Sequence, residues 1–415
     1  MKMQRWLIVF VVYAASVVVV LNQYKVPPLM AGLMAEFGVG AATAGWFMSV
    51  FALTGVALSL PAALLLRRFG PKSSGAAGLT CVLLGCVLGG AAGSAESLLA
   101  GRVIEGVGLS LISVIAPAVI AMYFDREEIG LPMGIWATWY PVGSALAYNL
   151  SQPVTGFFES WRGSWWVGGC LALAVLILYL LFVEQPQHIS RWDGAGSEKR
   201  QEQGTGHFIR RALHERGIWL LGLSFMFMML GSLGYLTWAP TYLADAFGYS
   251  RGSANAVASM GFLWSAPGGI LSGWLLTHTR RRYAILTGCA VLSAAIYTVG
   301  FLVPEELLLP YLAVVGLVTG FTCALVFALV PTVLSNRAFT GVGMGVIALL
   351  QSAANLVATP LFGAITAGGN WTAAVLPSAG ILLLGVLFAS LLARQAHSSQ
   401  NSPAAVPFTQ IRPQR

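Results

Sequence analysis

Charge is what this sequence has least of. Only 9% of its 415 residues are charged and 57% are hydrophobic, whereas a soluble domain carries about 25% charged residues. The mean hydropathy of +0.76 describes a chain solvated by lipid. Other absences narrow the chemistry. No C-x-x-C joins any of the five cysteines, Cys81, Cys86, Cys170, Cys289 and Cys323, and all five lie in apolar runs. Neither a metal site nor a disulfide framework is indicated. No G-x-x-x-x-G-K-[ST] loop is present, which argues against ATP hydrolysis. Without H-E-x-x-H, G-x-S-x-G or a buried Asp pair, an intramembrane enzyme is not expected either, and nothing calls for a cofactor. The net charge of +8 falls in short clusters between apolar runs, so it does not point to nucleic acid.

What is present is a series of apolar stretches long enough to span a bilayer, which takes about 20 residues as a helix. Twelve are expected, near residues 6–35, 44–66, 74–92, 97–124, 132–157, 164–184, 217–243, 252–276, 284–303, 307–333, 341–367 and 372–393. The start, "MKMQRW" and an apolar run, could be a signal peptide, but the run is too long for an h-region and lacks a clear cleavage site, so it reads as an uncleaved first span. With the N-terminus inside, 19 of the 23 Lys and Arg fall on the cytoplasmic side, while Arg162 and Arg251 fall outside and Lys25 and Arg102 within spans. Basic residues stay cytoplasmic, so both termini are expected there, in an inner or plasma membrane. The longest polar stretch divides the chain into a six-span half (1–184), a linker (185–216), a second six-span half (217–393) and a tail (394–415).

The halves resemble each other. A shift of 210 residues lays Phe37-Gly38 on Phe247-Gly248, Ser49 on Ser259, Lys72 on Arg282 and Gly106 on Gly316. Repeats of six spans about a central site are a transporter architecture.

Four stretches resemble the major facilitator superfamily. "LLLRRFGPK" (64–72) is similar to that family's G-x-x-x-D-R-x-G-R-R loop, with Arg68, Gly70 and Lys72 in place but Arg67 where the acid belongs. "GWLLTHTRRR" (273–282) is its counterpart, with Thr277 at the acidic position. "RVIEGVG" (102–108) matches R-x-x-x-G-x-G, and "SWRGSWW" (160–166) is a frequent family feature. The resemblance implies an all-α membrane fold of two pseudo-symmetric six-helix bundles. It also implies a gating role for Arg68, Gly70 and Lys72, and transport by alternating access. Span 5, "WYPVGSAL", lacks the pattern of the drug/proton antiporters, and "NQYKVPPLM…EFGVG" is more like the organic-anion, cyanate-permease-like and nitrate-type branches.

Ionisable groups inside spans cost about 2.5–3.5 kcal/mol each, so they need a reason. Three lie well inside: Lys25, Arg102 and Glu105. Lys25 is the one charge between Trp6 and Glu36. It precedes Pro27-Pro28, which should bend or break the helix, and Asn22 is three residues earlier on the same face. It could snorkel to the headgroups or face a cavity, where it would meet an anion. Arg102 and Glu105, also three apart, can form a self-neutralising structural pair. Alternatively, Glu105 is a protonatable coupling group with Arg102 as an anion contact. Two cations and one carboxylate leave about +1, which favours a small anionic substrate, plausibly a carboxylate. Tyr140, Trp238, Gln351 and Asn355 are further candidate contacts, placed on cavity-lining spans by the resemblance. The expected protein is a monomer whose partners are that anion, the bilayer and protons. A proton-coupled exporter of lipophilic compounds and a sensor that binds without transporting remain as alternatives.

Overall fold

The computed structural model describes residues 2–124, 128, 130–184, 210–279, 281–336 and 339–400. Residues 185–209 of the expected linker and 401–415 of the tail lie outside the described residues. So do the side chains of Arg67 and Thr277. The described residues are helical, with no strand among them. Among the described residues, nine helices are long and apolar enough to cross a membrane. The other three spans are interrupted or short by that measure. Span 2 counts only as Ala41–Gly55. Span 5 is Gly130–Ala137 followed by Trp139–Phe158, and span 8 is Arg251–Leu263 followed by Ser265–His278.

Span 1 breaks where the sequence says it must. Its first helix is Lys2–Tyr24, a 3₁₀ turn covers Pro27–Leu29, and Met30–Phe37 completes the crossing. A proline has no N–H to give the carbonyl four residues back. Pro27 and Pro28 therefore leave the Gln23 and Tyr24 carbonyls without their helical partners, and the helix ends at Tyr24.

Spans 2 and 3 form one helical run, Ala41–Gly90, folded back at Gly70. There the backbone has φ 77° and ψ 172°, a conformation essentially closed to residues with a Cβ. The Tyr179 hydroxyl of span 6 (Arg162–Phe182) donates to the Pro71 carbonyl at 3.0 Å and holds the turn. Span 4 is Ala95–Tyr123, begun by a capping box in which Ser94 accepts from the Ser97 N–H. In the second half span 7 is Arg216–Phe247, span 9 Arg282–Thr298, span 10 Leu308–Val333, span 11 Thr340–Ile365 and span 12 Val375–Gln400.

The internal repeat reappears as matched geometry. Spans 1 and 7 both end on a left-handed glycine, Gly38 at φ 61° and Gly248 at φ 67°. Gly106 of span 4 packs on Phe51 and Thr54 of span 2, and Gly316 of span 10 packs on Gly261 and Trp264 of span 8.

The halves meet at the ends of the spans distal to the chain termini. Gly45 lies so close to span 11 that a Cβ there would fall 2.6 Å from the Pro360 backbone, and one on Gly363 would fall 2.5 Å from the Ala41 carbonyl oxygen. Hydrogen bonds fasten the same level. Ser49 Oγ donates to the Asn355 carbonyl at 2.9 Å, Asn149 Nδ2 to Ser259 Oγ at 3.0 Å, and Tyr148 Oη to the Leu236 carbonyl at 3.0 Å.

Candidate functional site

The three ionisable residues expected inside spans come together as one cluster, buried where spans 1, 2, 3, 4 and 6 meet. Lys25, Arg102 and Glu105 are each at most 1% exposed. Glu105 is the hinge of the group. Its Oε1 accepts from Lys25 Nζ at 2.9 Å, and its Oε2 from Arg102 Nη1 at 2.6 Å. Lys25 Nζ also lies 2.9 Å from Asn22 Oδ1 and 3.5 Å from Cys86 Sγ of span 3. It sits over the Trp165 ring of span 6, 4.4 Å from the centroid. Its three donors are thus taken up within the N-terminal half.

Arg102 completes the broken helix. Its Nη1 and Nη2 donate to the Asn22 and Gln23 carbonyls, at 2.6 and 2.7 Å. One of these is the carbonyl that Pro27 cannot serve. Its Nε donates to the Phe47 carbonyl of span 2 at 2.8 Å, and the guanidinium lies 3.9 Å from the Phe51 ring centroid. A cation at a helix C-terminus also complements the helix dipole. The planar fork serves four acceptors from three spans, which the point charge of a lysine could not do. Asn22 closes the cluster by donating to the Val18 carbonyl at 2.9 Å and the Gly168 carbonyl of span 6 at 3.4 Å.

The formal charge of this group is +1, and it is sealed from solvent. Breaking one partner out of a buried ion pair costs about 3–5 kcal/mol, so the shared carboxylate of Glu105 ties span 1 to span 4.

The other expected site residues sit elsewhere. Tyr140 is half-buried on the face between the halves, its hydroxyl paired with that of Tyr24. Tyr24 and Tyr148 both pack edge-on against Phe262 of span 8, at 5.1 and 5.2 Å between ring centroids. Gln351 and Asn355 are half-buried on span 11, and Asn355 Oδ1 is a buried acceptor with no partner among the described residues. Trp238 is 1% exposed and donates Nε1–H to the Thr359 carbonyl at 3.0 Å, beside Gly363 and Trp371. It packs the distal contact. Arg68 is exposed beside Phe69, 5.3 Å from that ring's centroid, and Lys72 is half-buried.

Sequence reasoning passed over Tyr24, Tyr148 and Asn149. For Asn149 a signal existed. A shift of 206 residues, close to the 210 that pairs Ser49 with Ser259, lays Asn149 on Asn355, so the Asn355 neighbour of Ser49 has its counterpart in the Asn149 neighbour of Ser259.

A twelve-span chain in two matched halves, with R-x-x-E buried at the start of span 4, can now be set beside known proteins. The model of the Major Facilitator Superfamily matches residues 12–359. The chain belongs to this superfamily. Among curated relatives, the probable L-galactonate transporter of Escherichia coli is 25% identical over 250 residues, covering 58% of this chain and 54% of that one. The hexuronate transporter of Bacillus subtilis is 25% identical over 313 residues, 71% of each chain. Human protein spinster homolog 3 is 31% identical over 155 residues, 35% of this chain and 28% of that one. The chain spans about half or less of the length of the first relatives it matches. In fold it is similar to a bacterial homolog of the human lysosomal transporter spinster, solved inward-facing and unoccupied. The TM-score is 0.76 at 16% identity, over 97% of this chain and all of the other.

Proposed function

We propose that this major facilitator protein is a secondary transporter of a small organic anion, a carboxylate, driven by protons through Glu105. The observation that carries the reading is the single carboxylate shared by two buried cations. Protonating Glu105 removes the negative charge that Lys25 and Arg102 share and raises the buried charge from +1 to +2. Arg102 also caps the broken end of span 1, so the change is felt at Tyr24, on the face where the halves meet. An arriving anion offsets the added charge, which ties proton and substrate to the same conformational step.

The substrate contacts in this reading are Tyr24, Tyr140, Asn149, Gln351 and Asn355. Lys25, Asn22 and Arg102 act through the field and shape of the cluster rather than by touching the anion in this conformation. The names of two relatives, galactonate and hexuronate transporters, support a polyhydroxylated carboxylate. The hydroxyls and amides on the inter-half face suit one. Both termini lie in the cytoplasm of an inner or plasma membrane, and a monomer suffices. With that orientation the distal contact is the closed external gate and the molecule is open inward. Arg68, Gly70 and Lys72 shape the cytoplasmic turn between spans 2 and 3.

A screen for thermal stabilisation by carboxylates, with galactonate and hexuronates as probes, identifies the ligand. Proteoliposomes then test coupling. An inward proton gradient drives accumulation by the wild type, while Glu105→Gln exchanges substrate across the membrane without accumulating it. Gradient-driven accumulation by Glu105→Gln defeats the coupling assignment, and binding with no flux makes the protein a sensor. The aromatic face of Tyr24, Tyr140, Tyr148 and Phe262 favours one other reading, an exporter of lipophilic compounds. That reading predicts stabilisation by apolar dyes and none by sugar acids.

A further inference from the structure

A groove of about 550 Å³ opens between the proximal ends of spans 7 and 12, away from the face between the halves. It is lined by His214, Arg216, Trp219, Leu220, Leu391 and Gln395. Its chemistry is graded along the spans. His214 and Arg216 are exposed at the mouth, where span 7 begins. Trp219 and Leu220 lie about one helical turn deeper, roughly 5 Å at about 1.5 Å per residue. On span 12, Leu391 is likewise one turn deeper than Gln395. The Trp219 ring is fixed as a wall, because its Nε1–H is donated to the Leu213 carbonyl at 2.7 Å.

The mouth is strongly basic. Arg210, Arg211 and Arg394 are also exposed beside it. The carboxylate on the adjoining turn, Glu215, accepts the hydroxyl of Ser335, and among the described residues no acid pairs with Arg216. A cation-rich mouth above an apolar, tryptophan-walled trough matches an amphiphile with a negative head and a hydrocarbon tail. A free phosphate would use the mouth alone and leave the trough bare.

We propose that this groove binds an anionic phospholipid, its phosphate at Arg216 and His214 and its acyl chain along Trp219, Leu220 and Leu391. A juxtamembrane cation attracts an anionic headgroup by about 1 kcal/mol, so each one removed should weaken binding about fivefold.

The test uses the full chain purified in a neutral detergent, with bound lipids counted by native mass spectrometry and unfolding followed by heating. Phosphatidylglycerol should bind and raise the melting temperature, and phosphatidylcholine should do neither. Arg216→Gln should weaken phosphatidylglycerol binding about fivefold, and His214→Gln,Arg216→Gln further still, whereas Arg282→Gln, a basic change at the same level on span 9, should leave it unchanged. Trp219→Ala should weaken the lipid without affecting glycerol phosphate. Three results overturn the proposal. One is equal binding of phosphatidylcholine, and another is wild-type affinity in the doubly substituted protein. The third is stabilisation by glycerol phosphate as large as by the lipid, which would make the groove a soluble-phosphate site. Because the groove lies outside the transport face, each result is independent of whether the protein carries a carboxylate.

Discussion

Lys25 Nζ lies 2.9 Å from Glu105 Oε1 with neither group open to water. A buried pair of this kind is weak evidence for stability, because desolvation offsets most of the attraction. The third member changes the sign of each mutation. Removing the carboxylate strands two cations, whereas removing the lysine leaves Arg102 and Glu105 as a neutral pair. Glu105→Gln should therefore destabilise the fold by about 3–5 kcal/mol and Lys25→Gln by much less, about 1 kcal/mol for its lost hydrogen bonds. Thermal unfolding of the two purified variants decides the matter. A larger loss in Lys25→Gln would mean that the cluster is not held together by its shared acid.

The closed distal end makes a conformational prediction. Gly45 abuts the Pro360 backbone of the other half, and neither partner can yield, since both contacts are main chain. Gly45→Val should prise the halves apart at this level while leaving each half folded. A cysteine at Ser49, which is 1% exposed, should then react with a membrane-impermeant thiol reagent. In the otherwise wild-type protein the same cysteine should stay protected. Equal labelling in both would show that spans 2 and 11 are not the gate.

Much of this was legible in the sequence because the bilayer leaves few options. Apolar runs must be helices, buried charges must find each other, and Pro-Pro must end a hydrogen-bond ladder. The pairing of Arg102 with Glu105 follows from their three-residue spacing alone. Which way Lys25 points does not. Either side of span 1 is open to it by spacing, and the choice falls to Asn22, Cys86 and Trp165, which lie 61 to 140 residues away or on a helix turn whose orientation the break sets. The interruptions in spans 5 and 8 obey the same proline rule as span 1. Their first helices end at Ala137 and Leu263, each four residues before a proline, Pro141 and Pro267, that has no N–H for that carbonyl. Trp238 shows the opposite failure. An aromatic on a cavity-lining span can face the cavity or the neighbouring helix, and only the close approach of Gly363 places it at the packed contact.

Gly70 carries the turn between spans 2 and 3 in a conformation that disfavours any Cβ. Gly70→Val should lower stability by about 1–3 kcal/mol, read as an earlier melting transition. The loss should arise locally, because the Tyr179 hydroxyl is aimed at the next residue's carbonyl. Tyr179→Phe removes that bond and should add little in the Gly70→Val background, where the turn has already moved. Full additivity of the two changes would show that the hydroxyl and the glycine hold separate structures.

Lys25 supplies the excess positive charge of the cluster, and its effect on substrate should be one of field rather than contact. A unit charge about 10 Å away at an effective dielectric of about 20 is worth ~1.7 kcal/mol, or about 15-fold in affinity. Lys25→Gln should weaken binding of the proposed carboxylate by about that factor and leave the corresponding neutral sugar alcohol unaffected. Lys25→Arg keeps the charge and should lose far less, provided the larger head is accommodated beside Trp165. The comparison separates the field from two rivals. A lysine that touches the substrate would make Lys25→Arg costly as well, because the contact geometry changes with the head group. A lysine that serves only packing would weaken the acid and the alcohol alike. Titration of both ligands into the three proteins, with heat of binding as the readout, gives a different pattern for each.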